Sequence, residues 1–365
     1  MNDEKHENLT QNYSTWGDKL LQHADVLFSI QNKKEFKPIT IQLAPCEACN
    51  SDCPFCSVAD RPLKSYMKFE QISKCLIDFK TLGAKSLEIT GGGNPLLYKD
   101  KESKKDINDV IRFASSIGYD IGIITNSNTL QKLDPSTYDM INWIRISLIR
   151  LDEGCEPEDY DFNNFPYEKL GFSYIIYDEC GSSPIRQKYY EGTSEKTIEK
   201  ISKLVSIHNG NIKFVRFAGD CLIKGNNALV RKKFQDVVDK NDTYKKFFIK
   251  TIDENDVPFE SGCYVGLIRP YVAPSPDGDS YHVYICTSHV LSKRTYDLDY
   301  SLCKVENIIE TWEKLNKNYK LSGVPYEVKN NKGKCWSSTC DHCFYKFNNK
   351  LLHTVANEMP DKNFP

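Results

Sequence analysis

The run CEACNSDCPFC, from Cys46 to Cys56, puts four thiols in eleven residues. Thiolates at this density bind zinc or iron–sulfur clusters. Three arrangements fit the spacing. A zinc staple would take the pairs Cys46-x2-Cys49 and Cys53-x2-Cys56, although the gap between them is short for a knuckle or ribbon. A closed ferredoxin-like cluster would use Cys49-x3-Cys53-Pro54, but the rest of that run is absent. The third arrangement takes Cys49, Cys53 and Cys56 alone and leaves Cys46 a bystander. Four ligands close a site and make it structural; three leave a position free for chemistry.

The bulk numbers narrow the setting. A chain of 365 residues can bury a sizeable core and hold one large domain with a smaller one. A formal charge of -2 speaks against a nucleic-acid partner bound through a broadly basic surface. No apolar run reaches the roughly 18 residues of a membrane span, so no membrane partner is expected. The polar, acidic amino terminus is unlike a secretory signal, and a cytoplasmic protein is expected. Fourteen cysteines in that reducing compartment favour metal ligation or catalysis over disulfides. The isolated Cys75, Cys155, Cys180 and Cys221 read as small core hydrophobes.

A strand-then-helix rhythm must position the cysteines. Residues 39–43 (ITIQL) predict a first strand that runs directly into them. Further strands are predicted over 86–90, 120–125, 143–148, 172–177 and 212–217. Helical spacing links Phe69, Ile72, Leu76, Phe79 and Leu82, then Ile107, Val110, Ile111, Ala114 and Ile117, then Ile198, Ile201, Leu204 and Val205. Six such units are too few for a closed eight-stranded barrel, so the fold class is α/β, a partial (β/α)6 TIM-type barrel. Its chemistry belongs at the carboxyl ends of the strands. The rhythm changes near Thr251: 269–273, PDGD and 281–286 predict a hairpin, and 305–315 a short helix. The expected domains are an amino-terminal extension (1–37), the barrel (38–225), a helical linker (226–262), a smaller hairpin-plus-helix domain (263–352) and a tail (353–365).

The other strand ends carry motifs of their own. Gly91, Gly92, Gly93, Asn94 and Pro95 follow the second strand, Thr125, Asn126 and Ser127 end the third, and Ser147 ends the fourth. Glycines let the backbone approach a ligand closely, although a plain β–α turn has the same composition. With the three-cysteine loop, this set resembles the radical S-adenosyl-L-methionine (SAM) superfamily over most of the chain. The resemblance implies that Cys49, Cys53 and Cys56 hold a [4Fe-4S] cluster whose open iron SAM chelates. It implies that Phe55 lies beside the adenine and that Gly91, Gly92, Gly93 and Asn94 meet the methionine amino group. Asn126 and Ser147 would lie near the rest of SAM. Asn94 stands where the family usually has Glu; its amide accepts a hydrogen bond but carries no charge. Arg216, on the sixth strand, either points at substrate or makes a surface ion pair.

Cys263, Cys286, Cys340 and Cys343, with the hairpin and the ETW-bearing helix between them, resemble the SPASM/twitch extension of the same superfamily. That likeness implies one auxiliary [4Fe-4S] cluster on these four cysteines. Cys303 and Cys335 leave other ligand sets open, including a zinc ribbon of Cys335, Cys340 and Cys343 with His342 or Cys303.

The implied chemistry passes one electron, from a donor such as flavodoxin or ferredoxin, through the cluster to the SAM sulfonium. Methionine and a 5′-deoxyadenosyl radical result, and the radical takes a hydrogen atom from substrate. Oxidation or rearrangement of a small molecule is the expected outcome. Maturation of a ribosomal peptide through a thioether or carbon–carbon crosslink is an alternative; only 37 residues precede Pro38, so a fused peptide-recognition domain is not expected. A metal-stabilised binding protein without catalysis is the alternative of another class. No catalytic acid or base is legible. Anaerobically reconstituted protein should carry about eight irons and no zinc; about four irons with zinc would replace the auxiliary cluster by a zinc site.

Overall fold

Alternating apolar residues in the strands need helices on one face, and that requirement organises the molecule. The computed structural model describes residues 12–13, 17–33, 35–56, 58–59, 61–177, 192–208, 211–220, 232–233, 235, 247–250, 262–275, 278, 280–287, 301–319, 323 and 345–357. Seven strands lie side by side in parallel: β1 (Thr40–Leu43), β2 (Ser86–Ile89), β3 (Asp120–Thr125), β4 (Trp143–Ser147), β5 (Leu170–Ile176), β6 (Phe214–Gly219) and β7 (Phe247–Lys250). On the other side of β1 stands β8 (Tyr271–Pro274), parallel to it; antiparallel β9 (Tyr281–Tyr284) and β10 (Ser301–Lys304) follow. The sheet is open, with β10 and β7 at its edges. This is the partial barrel expected, with the carboxy-terminal hairpin extending it.

The expected helices form at Phe69–Thr81, Ile107–Ser116 and Glu195–Ile207. The second begins where the Asp106 carboxylate accepts from the Asn108 amide at 2.8 Å, and the third where the Ser194 hydroxyl accepts from the Thr197 amide at 3.3 Å. Their apolar faces meet one residue set of each strand. Ile41, Leu43, Leu87, Ile89, Ile121, Ile123, Ile144 and Ile146 are buried there in one core with Ile72, Leu76 and Phe79. Trp312, on the helix Ile308–Tyr319, closes that core edge-on to Phe79, with ring centroids 5.3 Å apart. The β3–β4 and β4–β5 connections hold 3-10 turns, among them Pro135–Met140 and Leu148–Leu151. The helices Gly17–Leu21 and Ala24–Lys33 pack against the helix Lys346–Ala356.

Two features add to the expected elements. The segment read as a helical linker contributes β7, because four apolar-rich residues suffice for an added parallel strand and are too few to show a period. The hairpin read as part of a separate domain joins the barrel's own sheet through β8. That docking satisfies the edge groups of β1, which would otherwise stand open.

The second residue set of each strand faces the inside of the barrel. Gln42, Glu88, Arg145 and Arg216 alternate with the core residues. Gly122, also inward, gives its space to the Trp143 ring across the β3–β4 pair; a Cβ there would lie 2.2 Å from the indole. Gly122→Ala should therefore lower stability by about 1–3 kcal/mol through overpacking, measured by denaturant unfolding.

Candidate active site

The loop after β1 sorts its four thiols by environment. Cys46 is 2% exposed, and its thiol donates to the Asn94 carbonyl at 3.5 Å. Burial, with the Glu47 charge behind it, pushes this thiol up to about 12, so it stays neutral at physiological pH. Cys49, Cys53 and Cys56 are half-buried instead. Arg61 Nη1 donates to Cys56 Sγ at 3.3 Å, and Asn126 Nδ2 to Cys49 Sγ at 3.7 Å. Donors aimed at sulfur are the outer partners that orient metal-ligating cysteines. This donor set fits a cluster on the three half-buried cysteines. Among the described residues, no three His, Cys, Asp or Glu side chains are gathered closely enough to hold a single metal ion.

The middle of the loop is clamped from the chain beyond β4. Glu153 accepts from the Asp52 amide and from Ser51 Oγ, both at 2.9 Å. Arg150 Nη1 donates to the Asn50 carbonyl at 3.0 Å and to Glu153 at 2.8 Å. Arg61, nearly enclosed, donates through Nε to the Glu47 carbonyl at 3.0 Å. The segment between Cys49 and Cys53 thus hangs on one charged pair about a hundred residues away.

The glycine turn after β2 lies directly on this loop. A Cβ on Gly93 would fall 2.2 Å from the Ala48 carbonyl oxygen, and the Asn94 amide donates to the same oxygen at 2.7 Å. Asn94 is fully buried. Its Oδ1 accepts from Thr125 Oγ1 at 2.7 Å and from the Leu96 amide at 3.1 Å. Its Nδ2 donates to Asn50 Oδ1 at 3.0 Å and to Ser127 Oγ at 2.8 Å. Every hydrogen-bonding position of the amide is used internally. The side chain expected to meet a ligand is therefore the knot tying β2, β3 and the cysteine loop together. A glutamate could not make the two donations.

The remaining expected residues gather around the same mouth. Asn126 donates to Ser51 Oγ at 2.5 Å as well as to Cys49, which places it on the cysteine loop. Ser147 is half-buried at the end of β4 and makes no side-chain hydrogen bond among the described residues. Gly91 and Gly92 are half-buried. Phe55 packs on Tyr177 at the end of β5, with centroids 5.3 Å apart. Tyr177 and Tyr174 both donate to the Asp152 carboxylate, at 3.0 and 2.8 Å, and Thr197 Oγ1 donates to it at 3.0 Å. Burial raises the Asp152 carboxyl above the usual range despite those three donors.

Two of the four carboxy-terminal cysteines are described. Cys263 is half-buried and its sulfur accepts from the Gly266 amide at 3.4 Å. Ile285 packs against Gly266, so Cys286, the next residue, lies close to the turn that carries Cys263. Cys340 and Cys343 lie outside the described residues, as do Cys335 and His342. Cys303 faces the helix side: burial pushes its thiol up to about 11, and its charged or polar neighbours are Thr311 and Glu306. Sequence reasoning missed Arg61, Arg150, Asp152, Glu153 and Tyr177, because single polar residues distant in sequence carry no spacing signal.

No protein-family model matches the chain, and no curated protein matches it. Solved structures do. SuiB of Streptococcus suis bound to the precursor peptide SuiA aligns with a TM-score of 0.54 at 15% identity, over 89% of this chain and 75% of that one. SuiB bound to S-adenosylmethionine aligns at 0.52 and 15% identity, over 89% and 77%. Native anSMEcpe with bound AdoMet and Cp18Cys peptide aligns at 0.43 and 14% identity, over 88% and 99%. This chain shares its overall fold with SuiB.

Asn94→Ala should cost about 3 kcal/mol in denaturant unfolding, since it strands buried partners on three segments. Cys46, protonated well above neutral pH, should resist iodoacetamide in folded, metal-free protein at mildly alkaline pH. Cys49, Cys53 and Cys56 should be labelled, as read by peptide mass spectrometry.

Proposed function

We propose that this chain is a radical SAM enzyme, with a [4Fe-4S] cluster on Cys49, Cys53 and Cys56, SAM at the open iron, and substrate at the mouth of the partial barrel. One observation carries the reading: of four closely spaced thiols, one is buried and neutral, and the other three are half-buried at the strand ends, two with hydrogen-bond donors on sulfur. When bound, the cluster and SAM supply one-electron reductive cleavage of the sulfonium and a 5′-deoxyadenosyl radical for hydrogen abstraction.

The residues of the chain hold and shield that chemistry. Gly91 and Gly92 offer backbone groups to the methionine end, and Gly93 and Asn94 keep that turn against the cysteine loop. Phe55, backed by Tyr177, offers an apolar face to the adenine. Ser147 offers an unused hydroxyl to the ribose and carboxylate region. Asn126 positions Cys49 and Ser51. The carboxy-terminal cysteines Cys263, Cys286, Cys340 and Cys343 hold an auxiliary cluster in the region 263–352, and flavodoxin or ferredoxin supplies electrons. The substrate reading taken from sequence is a small molecule that is oxidised or rearranged. The fold likeness to SuiB, solved with a precursor peptide, favours a ribosomal peptide as a second reading.

Reconstituted, reduced protein should convert SAM to 5′-deoxyadenosine, and Cys53→Ala should form none above background, measured by liquid chromatography. Cleavage that persists in Cys53→Ala contradicts the assignment. Deuterium passing from a labelled small molecule or peptide into 5′-deoxyadenosine then separates the two substrate readings.

A further inference from the structure

A second cavity, of about 360 Å³, lies at the opposite end of the barrel from the cysteine loop, where the strands begin. Its size is in the range of roughly 300–1,000 Å³ usual for small-molecule sites. Among the described lining residues, five are lysine or arginine, one is His23, and two are acidic. Glu88, on β2, is already engaged: it accepts from Arg269 Nη2 and from Gln42 Nε2, both at 2.8 Å. Arg145 and Arg216 have no carboxylate of their own. The Nε of each is buried without a hydrogen-bond acceptor among the described residues, and neither forms an ion pair there. Burial lowers both guanidinium groups, helped by the Arg269 charge at Arg145 and by the Arg145 charge at Arg216, which falls to about 9. Arg216 thus faces this cavity and not the cysteine-loop end.

A structural plug would match its cations with anions, since unpaired buried charge is costly. Here one carboxylate, Glu88, lies among Arg145, Arg216 and Arg269. Guanidinium groups donate through a planar fork that matches two oxygens of a carboxylate or phosphate. Beside them, the Trp143 ring, 5.8 Å from the Arg145 guanidinium carbon, supplies an apolar wall. We infer that this cavity is a second ligand site, separate from the three-cysteine loop, which takes a small molecule by a carboxylate or phosphate group held between Arg145 and Arg216.

Titration calorimetry of the full chain tests this, with inorganic phosphate and citrate as separate probes at constant ionic strength set by chloride. Saturable binding of either is expected. Phosphate alone marks a phosphorylated ligand, and citrate alone a carboxylic acid. Arg216→Gln and Arg145→Gln should each weaken binding roughly 10- to 100-fold, as loss of a charged hydrogen-bonding partner does. If either fails to fold, Arg216→Lys and Arg145→Lys keep the charge, remove the fork, and should weaken binding about tenfold. Absence of saturable binding by both anions, or wild-type affinity in the folded variants, overturns the inference.

Discussion

The contact on which the rest of the site depends is the meeting of two backbones at the Ala48 carbonyl. Asn94 donates its amide hydrogen there at 2.7 Å, and the approach is possible because Gly93 carries no Cβ to fill the 2.2 Å gap. Strands β1 and β2 are neighbours in register, so their carboxyl ends emerge side by side. The missing side chain lets the two following loops lie on each other instead of splaying. From that contact follow the burial of Cys46 beneath the Asn94 carbonyl and the half-exposure of the other three thiols.

The amide of Asn94 extends the same constraint sideways. Its two acceptances and two donations bring Asn50, Thr125 and Ser127 to one point. Glu153 and Arg150 then hold the other flank of the loop. A loop that must present three sulfurs in fixed positions gains rigidity from both sides before any cofactor arrives. The Asp152 cluster does the same for the aromatic wall, since Tyr174, Tyr177 and Thr197 share one half-buried carboxylate and Tyr177 packs on Phe55.

Much of the barrel was legible because its strands and helices repeat apolar residues at fixed periods, and six of the seven strands β1 to β7 fall where those periods place them. β7 was not, since Phe247–Lys250 is too short for a period and is recognisable as a strand only by its pairing with β6. The hairpin was legible as a hairpin, but its docking on β1 is a tertiary choice. In the site, cysteine spacing singled out the thiols, while the work of Asn94 was hidden: three of its four side-chain partners lie more than thirty residues away. The charges inside the barrel were hidden by the same alternation that revealed its core. Glu88 and Arg145 are single polar residues within strands and drew no reading, and Arg216 was placed at substrate or in a surface ion pair, yet the three face a common cavity.

In the proposed enzyme, three of four clustered thiols leave a metal position open to SAM. Electron paramagnetic resonance of the reduced, reconstituted protein tests it directly, recorded with and without SAM for the wild type and for Cys46→Ser. A cluster signal that SAM perturbs equally in both proteins is predicted, because the buried Cys46 thiol takes no part. A signal indifferent to SAM, or one lost in Cys46→Ser, would mean a closed site with four protein ligands and contradict the account.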